Sequence, residues 1–282
     1  MGERGAVSNV TLNNGVEIPQ LGFGVFQVPA AETQAAVEAA LEVGYRHIDT
    51  AAAYQNEAGV GAALRATGIA REDVFVTTKL RNGEQGKPRE AFDASRRALG
   101  LDVIDLYLIH WPVPSQDLYV AAWKELEEIY SRGEARSIGV SNFLPDHLDR
   151  LLGETDIVPA VNQIELHPTF QQPATAQRTR DAGVAVEAYS PLGQGRDLEA
   201  EPVAKAARAH DATPAQVVLA WHLAHGTIVI PKTTSADRMR ENLAAAGLEL
   251  TQEEISVIDA LDSGSRIGAD PATAAFSQMP QA

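Results

Sequence analysis

The sequence has no cysteine and little positive charge. Of its 282 residues, 38 are Asp or Glu and 23 are Lys or Arg, so the formal net charge is −15. The lack of cysteine excludes disulfide bonds, thiol nucleophiles and thiolate metal sites. The negative charge disfavours binding to a nucleic-acid backbone, which requires a basic face. We therefore expect neither a nucleic-acid partner nor a metal, and we ascribe the acidic surface to solubility.

Long apolar runs are also missing. No stretch approaches the ~20 apolar residues that span a bilayer. The first ten residues, MGERGAVSNV, lack the apolar core of a signal peptide. Together with the absence of cysteine, these features predict a cytoplasmic protein without a membrane partner. The hydrophobic fraction of 45% is nevertheless large enough for a sizeable core.

Short apolar or β-branched runs alternate with helical stretches along most of the chain. A hairpin is predicted over residues 9–18, because Asn14-Gly15 favours a tight turn in which both residues take positive φ. The predicted strands after it are Leu21–Gly22, Arg46–Asp49, Val74–Lys79, Ile104–His110, Ala135–Ser141, Ala160–Ile164, Val184–Ala188 and Thr227–Ile230. The predicted helices lie near residues 32–43, 57–66, 88–99, 119–132, 145–152, 173–182, 200–210 or 214–224, and 236–245, with an extra helix near 251–262.

This alternation indicates a parallel sheet. Eight strand–helix units in a chain of this length predict an α/β fold of the (β/α)8 TIM barrel type, with an N-terminal β-hairpin and an extra C-terminal helix and tail. We expect one domain over residues 1–282. The alternative is an open dinucleotide-binding sheet, since Gly22-Phe23-Gly24 begins like its glycine fingerprint. Gln27 occupies the position of the third glycine and Pro29 follows, which favours a simple turn.

Polar residues end seven of the eight predicted strands. Each has a simpler explanation on its own, such as a helix cap, a surface ion pair or a packed histidine. Their appearance around one ring indicates a pocket, because the active sites of these barrels form at the C-terminal ends of the strands. The residues are Asp49, Lys79, His110, Ser141 with Asn142, Asn162 with Gln163 and Glu165, Tyr189 with Ser190, and Lys232.

Four residues at or just after the ends of the second, third and fourth predicted strands suggest proton transfer. They are Asp49, Tyr54, Lys79 and His110. The pKa of a phenol is about 10, and an ammonium group such as that of Lys79 lowers it. A buried ammonium needs a partner, and Asp49 is available. Ala51–Ala53 leave room in front of Tyr54, and His110 can orient a carbonyl oxygen. We therefore expect Tyr54 to protonate an oxyanion as it forms.

Such an acid needs a reaction that creates the oxyanion. Hydride delivery from a cofactor to a carbonyl does so. The stretch IPKTTSADRMRENL suits a phosphate, because Lys232 and three hydroxyls precede a helix that carries Arg238 in its first turn. Alone, this stretch is equally consistent with a capped helix and a solvated basic face.

These motifs give the chain a family resemblance. The sequence resembles the aldo-keto reductases along essentially its whole length, and within them the bacterial 2,5-diketo-D-gluconate reductase type. The matching stretches are LGFGVFQVP, ALEVGYRHIDTAAAYQNEAGVGAAL, VFVTTKL, DLYLIHWP, RSIGVSNF, PAVNQIELHP, AYSPLGQG and IPKTTSADRMREN. The resemblance implies a catalytic tetrad of Asp49, Tyr54, Lys79 and His110, with Tyr54 as proton donor.

The resemblance also implies an NADPH/NADP+ site. Ser141, Asn142 and Gln163 would hold the nicotinamide carboxamide. Tyr189 would stack on the ring, where related reductases tend to have Trp. The implied pyrophosphate contacts are Ser190, Leu192 and Gln194. The implied contacts of the 2′-phosphate are Lys232, Thr233, Thr234, Ser235 and Arg238, and those of the adenine are Glu241 and Asn242. Lys232 and Arg238 together favour NADPH over NADH.

The implied activity is NADPH-dependent reduction of aldehydes or ketones to alcohols. The substrate-binding residues would be Phe26, Tyr54, His110 and Trp111. Arg81 stands where relatives often carry an aromatic residue, which favours anionic or polar substrates. The stretch GADPATAAF resembles the tail that closes over the substrate. We expect a monomer that acts on a small carbonyl compound such as 2,5-diketo-D-gluconate, methylglyoxal or a keto ester.

Two other functions are compatible with the pattern. A lysine at a barrel strand end can form a Schiff base, as in aldolases, although Asp49 beside Lys79 would keep the amine charged. A cofactor-binding regulatory subunit is the second alternative. The complete tetrad disfavours both.

Overall fold

The computed structural model describes residues 7–278. The predicted hairpin is present as two antiparallel strands, β1 (Asn9–Thr11) and β2 (Glu17–Pro19). Its turn differs from the prediction, because only Gly15 takes a positive φ, of 82°. Asn14 instead donates hydrogen bonds to the Arg136 carbonyl at 3.0 Å and the Ser137 hydroxyl at 3.1 Å. These bonds tie the hairpin to the strand that begins at Ala135.

Eight parallel strands follow within the described residues, each hydrogen-bonded to the next in the chain. They are β3 (Phe23–Gly24), β4 (His47–Asp49), β5 (Phe75–Leu80), β6 (Ile104–Ile109), β7 (Ala135–Ser141), β8 (Val161–Glu165), β9 (Ala185–Tyr189) and β10 (Ile228–Val229). A parallel bridge also joins Leu21 to Val229, and the Gly22 N–H donates to the Val229 carbonyl at 2.8 Å. The sheet thus curls until its first and last strands meet, consistent with the predicted (β/α)8 barrel. The first strand pairs two residues later than predicted.

Helices separate the strands, and proline opens several of them. The helices are α1 (Ala30–Val43), α2 (Glu57–Ala66), α3 (Pro88–Leu99), α4 (Tyr119–Ser131), α5 (Pro145–Glu154), α6 (Pro173–Asp181), α7 (Glu201–Ala209), α8 (Pro214–Ala224), α9 (Ala236–Ala244) and α10 (Gln252–Asp259). Both of the alternatives predicted between β9 and β10 form, as α7 and α8. Thr213 begins α8 with a reciprocal capping box to Gln216, which explains why the chain restarts a helix there.

Most buried apolar side chains belong to two layers. One lies between the sheet and the helices and includes Trp123, Tyr107 and Phe92, all fully buried. The other fills the N-terminal end of the barrel, where Leu12 and Ile18 of the hairpin region pack with strand residues. Because the hairpin closes this end, the polar C-terminal ends of the strands face the opposite side. No helix in residues 7–278 is both long and apolar enough to cross a bilayer.

Candidate active site

An ion pair between β4 and β5 lies at the centre of the site. The Lys79 ammonium donates to Asp49 Oδ1 at 2.6 Å and to the Thr50 carbonyl at 2.9 Å, and both side chains are buried. Burial alone would lower the pKa of Lys79, but the charge and hydrogen bond of Asp49 oppose this, and the pKa is raised. The predicted pair is therefore present, and Lys79 is charged. A Schiff-base reaction, which requires a neutral amine, is disfavoured.

Tyr54 lies beside this pair on a single 3₁₀ turn, Ala52–Tyr54, that follows β4. Its ring centroid is 5.1 Å from Lys79 Nζ. The centroid is 5.7 Å from that of His110 and 5.1 Å from that of Phe26. The small residues before Tyr54 allow the chain to turn tightly, so that the phenol faces both the ammonium and the imidazole.

The pKa of Tyr54 departs from the prediction. Burial raises this pKa above its usual value, and Lys79 offsets only part of the increase. The loss of solvent around the phenol has a larger effect on this pKa than the cation of Lys79. Tyr54 is therefore protonated at neutral pH, which is the form that an acid must have before it donates a proton.

His110 follows β6 and is uncharged. Burial lowers the pKa of His110 well below its usual value, and the charges of Lys79 and Arg81 lower it further. Its Nδ1 is buried and has no hydrogen-bond partner within residues 7–278. A neutral imidazole with one N–H can donate to a carbonyl oxygen without adding charge to the pocket.

A second carboxyl group lies below the tetrad and was missed by the sequence argument. The Gln163 amide nitrogen donates to Asp49 Oδ2 at 2.8 Å and to Glu187 Oε2 at 3.0 Å. Burial raises the pKa of Glu187, and the nearby Asp49 raises it further. Glu187 is therefore protonated at neutral pH. It stands two residues before Tyr189 in a strand, and this spacing places both on one face, which is the signal that could have identified it.

The ends of β7, β8 and β9 are linked by hydrogen bonds among the expected nicotinamide contacts. The Asn142 N–H donates to the Gln163 carbonyl at 2.8 Å, and the Ser141 hydroxyl donates to the same oxygen at 2.8 Å. The Tyr189 hydroxyl donates to Asn142 Oδ1 at 2.7 Å. Asn142 Nδ2 also donates to the His110 carbonyl at 3.0 Å. Expected cofactor contacts are thus connected directly to the tetrad.

Left-handed backbone geometry is concentrated at the same end of the barrel. Asn142, Ser190 and Gln194 have φ values of 63°, 48° and 52°. Such conformations are costly for residues other than glycine and persist where the surrounding structure enforces them, often at functional sites. Gln194 is exposed and Leu192 and Ser190 are half-buried. The segment 190–199 thus presents a bent backbone at the mouth of the barrel.

The segment before α9 has the donors that an anion requires. The Ser235 hydroxyl caps α9 by accepting from the Arg238 N–H at 3.4 Å, and the Thr233 hydroxyl accepts from the Ser235 N–H at 3.1 Å. Lys232, Thr234 and Arg238 are exposed. Within the described residues, neither Lys232 nor Arg238 forms an ion pair with a carboxylate. Two unpaired cations at a helix N-terminus fit a phosphate.

The two expected adenine contacts lie further along α9. Glu241 Oε1 accepts a hydrogen bond from the Thr213 hydroxyl at 2.7 Å, and its carbonyl accepts from Gln216 Nε2 at 3.1 Å. Asn242 is buried. These contacts fix α9 against the start of α8. The structure places both residues close to the anion-binding segment, and their contact with adenine stays a prediction.

Three further residues of the expected substrate pocket differ in exposure, since Phe26 is exposed and Trp111 and Arg81 are buried. The Phe26 side chain is 51% exposed, whereas Trp111 is buried and packs against Phe276 of the C-terminal tail at 5.1 Å. Arg81 is buried, donates to the Ala52 carbonyl, and lies 4.0 Å from Glu84. Its guanidinium is thus held against the turn that carries Tyr54. The contact with Phe276 brings the tail to the same pocket.

Comparison with known proteins identifies the family. The model of the aldo/keto reductase family matches residues 20–263. An aldo-keto reductase of Mycolicibacterium smegmatis is 49% identical over 270 residues, which cover 95% of this chain and 98% of the relative. Methylglyoxal reductase DkgA of Yersinia pestis is 50% identical over 264 residues, which cover 93% of this chain and 95% of the relative.

Solved structures agree with this result. The crystal structure of Gox0644 in its apo form superposes with a TM-score of 0.93 and 44% identity, over 96% of this chain and 100% of that one. A mutant of Gox0644 in complex with NADPH superposes with a TM-score of 0.92, over the same shares of the two chains. The barrel, its polar strand ends and these relatives lead to one conclusion: the chain belongs to the aldo/keto reductase family.

Proposed function

We propose that the protein is an NADPH-dependent carbonyl reductase in which Tyr54 is the general acid. The observation that carries this proposal is the buried Asp49–Lys79 pair, at 2.6 Å, next to a phenol that is protonated at neutral pH. The NADPH complex of Gox0644 supports the choice of cofactor. The unpaired Lys232 and Arg238 at the start of α9 favour a cofactor with an additional phosphate.

Each of the four residues in and around the Asp49–Lys79 pair has a separate role in the reduction. Bound NADPH supplies a hydride to the carbonyl carbon. Tyr54 donates its proton to the carbonyl oxygen as negative charge develops there. Lys79 stabilises the phenolate that remains, and Asp49 keeps Lys79 charged and in place. The neutral His110 donates a hydrogen bond to the same oxygen and so fixes the orientation of the substrate.

The remaining polar residues position the cofactor. Because the side-chain Nε2 of Gln163 donates to Asp49 and Glu187, its side-chain oxygen, Oε1, is the atom left to accept from the nicotinamide carboxamide. Asn142 and Ser141 would complete this group, and Tyr189 would hold the nicotinamide ring. The bent segment that contains Ser190, Leu192 and Gln194 would bind the pyrophosphate.

The substrate is a small carbonyl compound. Relatives named methylglyoxal reductase DkgA, at 50% and 47% identity, make methylglyoxal the first compound to assay. Sugar-derived diketo acids and keto esters are the next. The positive charge of Arg81 next to the Tyr54 turn favours the members of this set that carry a carboxylate.

The variant Tyr54→Phe tests this proposal. It removes the donated proton and keeps the ring, so kcat should fall by about 10²- to 10⁴-fold. The Kd for NADPH, measured by fluorescence titration, should change little. The assay follows NADPH oxidation with methylglyoxal and a panel of other carbonyls. A variant that kept the wild-type kcat would show that Tyr54 is not the acid.

A further inference from the structure

Glu165, the last residue of β8, is a buried carboxylate that the proposed chemistry does not use. Its side chain is almost completely buried. Oε1 accepts a hydrogen bond from the Ile267 N–H at 2.7 Å, and Oε2 accepts one from the Gly268 N–H at 2.7 Å. One carboxylate thus binds two successive backbone amides of a segment about a hundred residues further along the chain.

His167 connects Glu165 to a second carboxylate. Its Nε2 lies 3.1 Å from Glu165 Oε1 and its Nδ1 lies 2.8 Å from Asp197 Oδ2. Burial would raise the pKa of Glu165 and of Asp197, but hydrogen bonds from His167 and from neighbouring groups outweigh it and lower both pKa values. With both carboxylates ionised, the two contacts require the doubly protonated imidazole, because a neutral imidazole donates from one nitrogen only. Burial alone would lower the pKa of His167, but the hydrogen bonds to Asp197 and Glu165 outweigh it and raise the pKa. The cluster is therefore a buried sequence of negative, positive and negative groups.

Asp197 belongs to the bent segment 190–199. Its Oδ1 accepts from the Thr169 hydroxyl at 2.7 Å. A Cβ added to Gly193 would lie 2.7 Å from the Asp197 carboxylate, so the glycine allows this close approach. The segment that reaches the cofactor pyrophosphate under the proposed function is thus anchored on the same cluster as the tail.

Beyond Gly268, the tail crosses the mouth of the barrel. A Cβ added to Gly268 would lie 3.7 Å from the Tyr189 hydroxyl. Further on, the Phe276 carbonyl accepts from Asn82 Nδ2 at 3.0 Å, and its ring packs on Trp111. The tail therefore runs from Glu165 past the expected nicotinamide contact to the expected substrate pocket.

We propose that Glu165 is a positioning residue that holds the tail over the substrate, and that Glu165, His167 and Asp197 together join this tail to the cofactor-binding segment. The proposal rests on the proposed function, since it assigns one segment to the cofactor and the other to the substrate. Because the cluster holds both segments, binding of NADPH orders the tail, and the closed tail favours NADPH. The two ligands therefore bind cooperatively.

Trypsin provides a direct measure of the closed tail. Arg266 immediately precedes Ile267, and its guanidinium lies over the Phe170 ring at 4.5 Å. Cleavage after Arg266 requires the Ile267 amide to leave Glu165. We call the contact of Glu165 with the Ile267 and Gly268 amides the clamp. The rate at which residues 267–282 are released, identified by mass spectrometry, thus reports its opening. We expect NADPH to slow this cleavage in the wild-type protein.

Two variants should open the clamp. Glu165→Gln keeps the size of the side chain but leaves one oxygen for two amides. Gly268→Ala substitutes no residue of the cluster but places a Cβ 2.8 Å from Glu165 Oε2, which forces the tail and the carboxylate apart. In both, cleavage after Arg266 and the KM for methylglyoxal should rise by about ten-fold, the value expected from loss of a hydrogen bond to a charged group. The kcat should stay within about three-fold. Gly268→Ala keeps the test valid if Glu165→Gln does not fold.

A third variant addresses the connection between the two segments. Asp197→Asn leaves the contacts of Glu165 with the tail in place but removes one charge that holds His167. It should increase the Kd for NADPH, and NADPH should no longer protect the bond after Arg266. Protection equal to that of the wild-type protein would show that the segments are not coupled.

Glu254→Gln is the matched control. Its Oε2 lies 3.0 Å from His210 Nε2, so it also forms a pair between a histidine and a glutamate, but this pair joins α10 to the end of α7. The control should lower stability without a change in KM or in cleavage after Arg266. If Glu165→Gln and Glu254→Gln behave alike, Glu165 has only a structural role and the proposal is wrong.

The clamp and the proposed function fail in different ways. If the wild-type protein binds NADPH but reduces no carbonyl, the proposed function is wrong, whereas the proteolysis still decides whether Glu165 holds the tail. If reduction is normal and Glu165→Gln matches the wild type in KM and cleavage, only the clamp is wrong.

Discussion

Two buried clusters at the C-terminal end of the barrel use the same kinds of group for different purposes. In the first, the cation of Lys79 lies 2.6 Å from Asp49 and beside the Tyr54 phenol. In the second, the His167 cation lies between Glu165 and Asp197 at 3.1 and 2.8 Å. The first cluster leaves a protonated hydroxyl facing the pocket. In the second, the Glu165 oxygens accept from backbone amides and both imidazole nitrogens of His167 face carboxylates, so the cluster presents no proton to a substrate.

A buried ion pair therefore does not by itself indicate catalysis. Removing one partner of either pair leaves an uncompensated charge and costs stability. What distinguishes the clusters is the third group: Tyr54 in the first and the Ile267 and Gly268 amides in the second. The following variants test this comparison, beginning with the largest expected effect on activity.

Lys79→Met should have the largest effect. Burial raises the pKa of Tyr54, and the charge and the hydrogen bond of Lys79 oppose this increase. Without Lys79 the pKa of Tyr54 should rise further, and its phenolate should be less stable. We expect kcat to fall by about 10²- to 10⁴-fold, and the free energy of unfolding to fall by about 3 kcal/mol because Asp49 stays buried and unpaired. Stopped-flow assays and urea unfolding measure the two effects. A kcat within ten-fold of the wild-type value would contradict the role of Lys79.

His167→Gln should affect stability more than chemistry. Without the imidazolium, the carboxylates of Glu165 and Asp197 stay buried with no positive partner, so the free energy of unfolding should fall by about 3 kcal/mol. The KM should rise while kcat stays close to that of the wild type.

The effect of pH on this variant follows from the raised pKa of His167. The stabilisation by its charge is complete below the unfolded-state pKa of about 6.5 and is lost as pH rises through the folded-state pKa. The difference in urea stability between the wild type and His167→Gln should therefore be larger at pH 6 than at alkaline pH. A difference that grew with pH would mean that His167 is neutral in the fold.

Glu187→Gln should have the smallest effect on activity. Since the pKa of Glu187 is raised, the wild-type side chain is a neutral acid at neutral pH, and Gln is close to it in shape. Wild-type stability should decrease as pH rises from the unfolded-state pKa of about 4.3 towards the folded-state pKa. The variant should therefore gain stability relative to the wild type between pH 5 and pH 8, measured by urea unfolding. If the difference in stability between the variant and the wild type did not change with pH, Glu187 would be ionised in the folded protein.

Much of the first cluster could be predicted from the sequence. Asp49, Lys79 and His110 end neighbouring strands, and the ends of parallel strands meet at one side of a barrel. The family was predicted from motifs that extend over most of the chain and is confirmed. The eight parallel strands and the hairpin are confirmed as well. The predicted positive φ of Asn14 was wrong. Its side chain forms hydrogen bonds to β7, and the local sequence of a turn does not indicate such long-range contacts.

The second cluster could not be predicted for a physical reason. Glu165 was noted as a polar strand end, but its partners are the backbone amides of Ile267 and Gly268, and a backbone N–H has no signature in the sequence. The pKa of Tyr54 depended on burial, which only the structure gives. Glu187 lies within an apolar strand, where the alternation of residues indicates its direction but not its protonation.

The most direct measurement compares Tyr54→Phe and Glu165→Gln in one assay of NADPH oxidation over a range of methylglyoxal concentrations. We expect Tyr54→Phe to lose kcat by about 10²-fold or more. We expect Glu165→Gln to reach nearly the wild-type rate at saturating methylglyoxal but with a higher KM. If Tyr54→Phe retained kcat, or if Glu165→Gln lost it to the same degree, the distinction between a catalytic and a positioning cluster would be wrong.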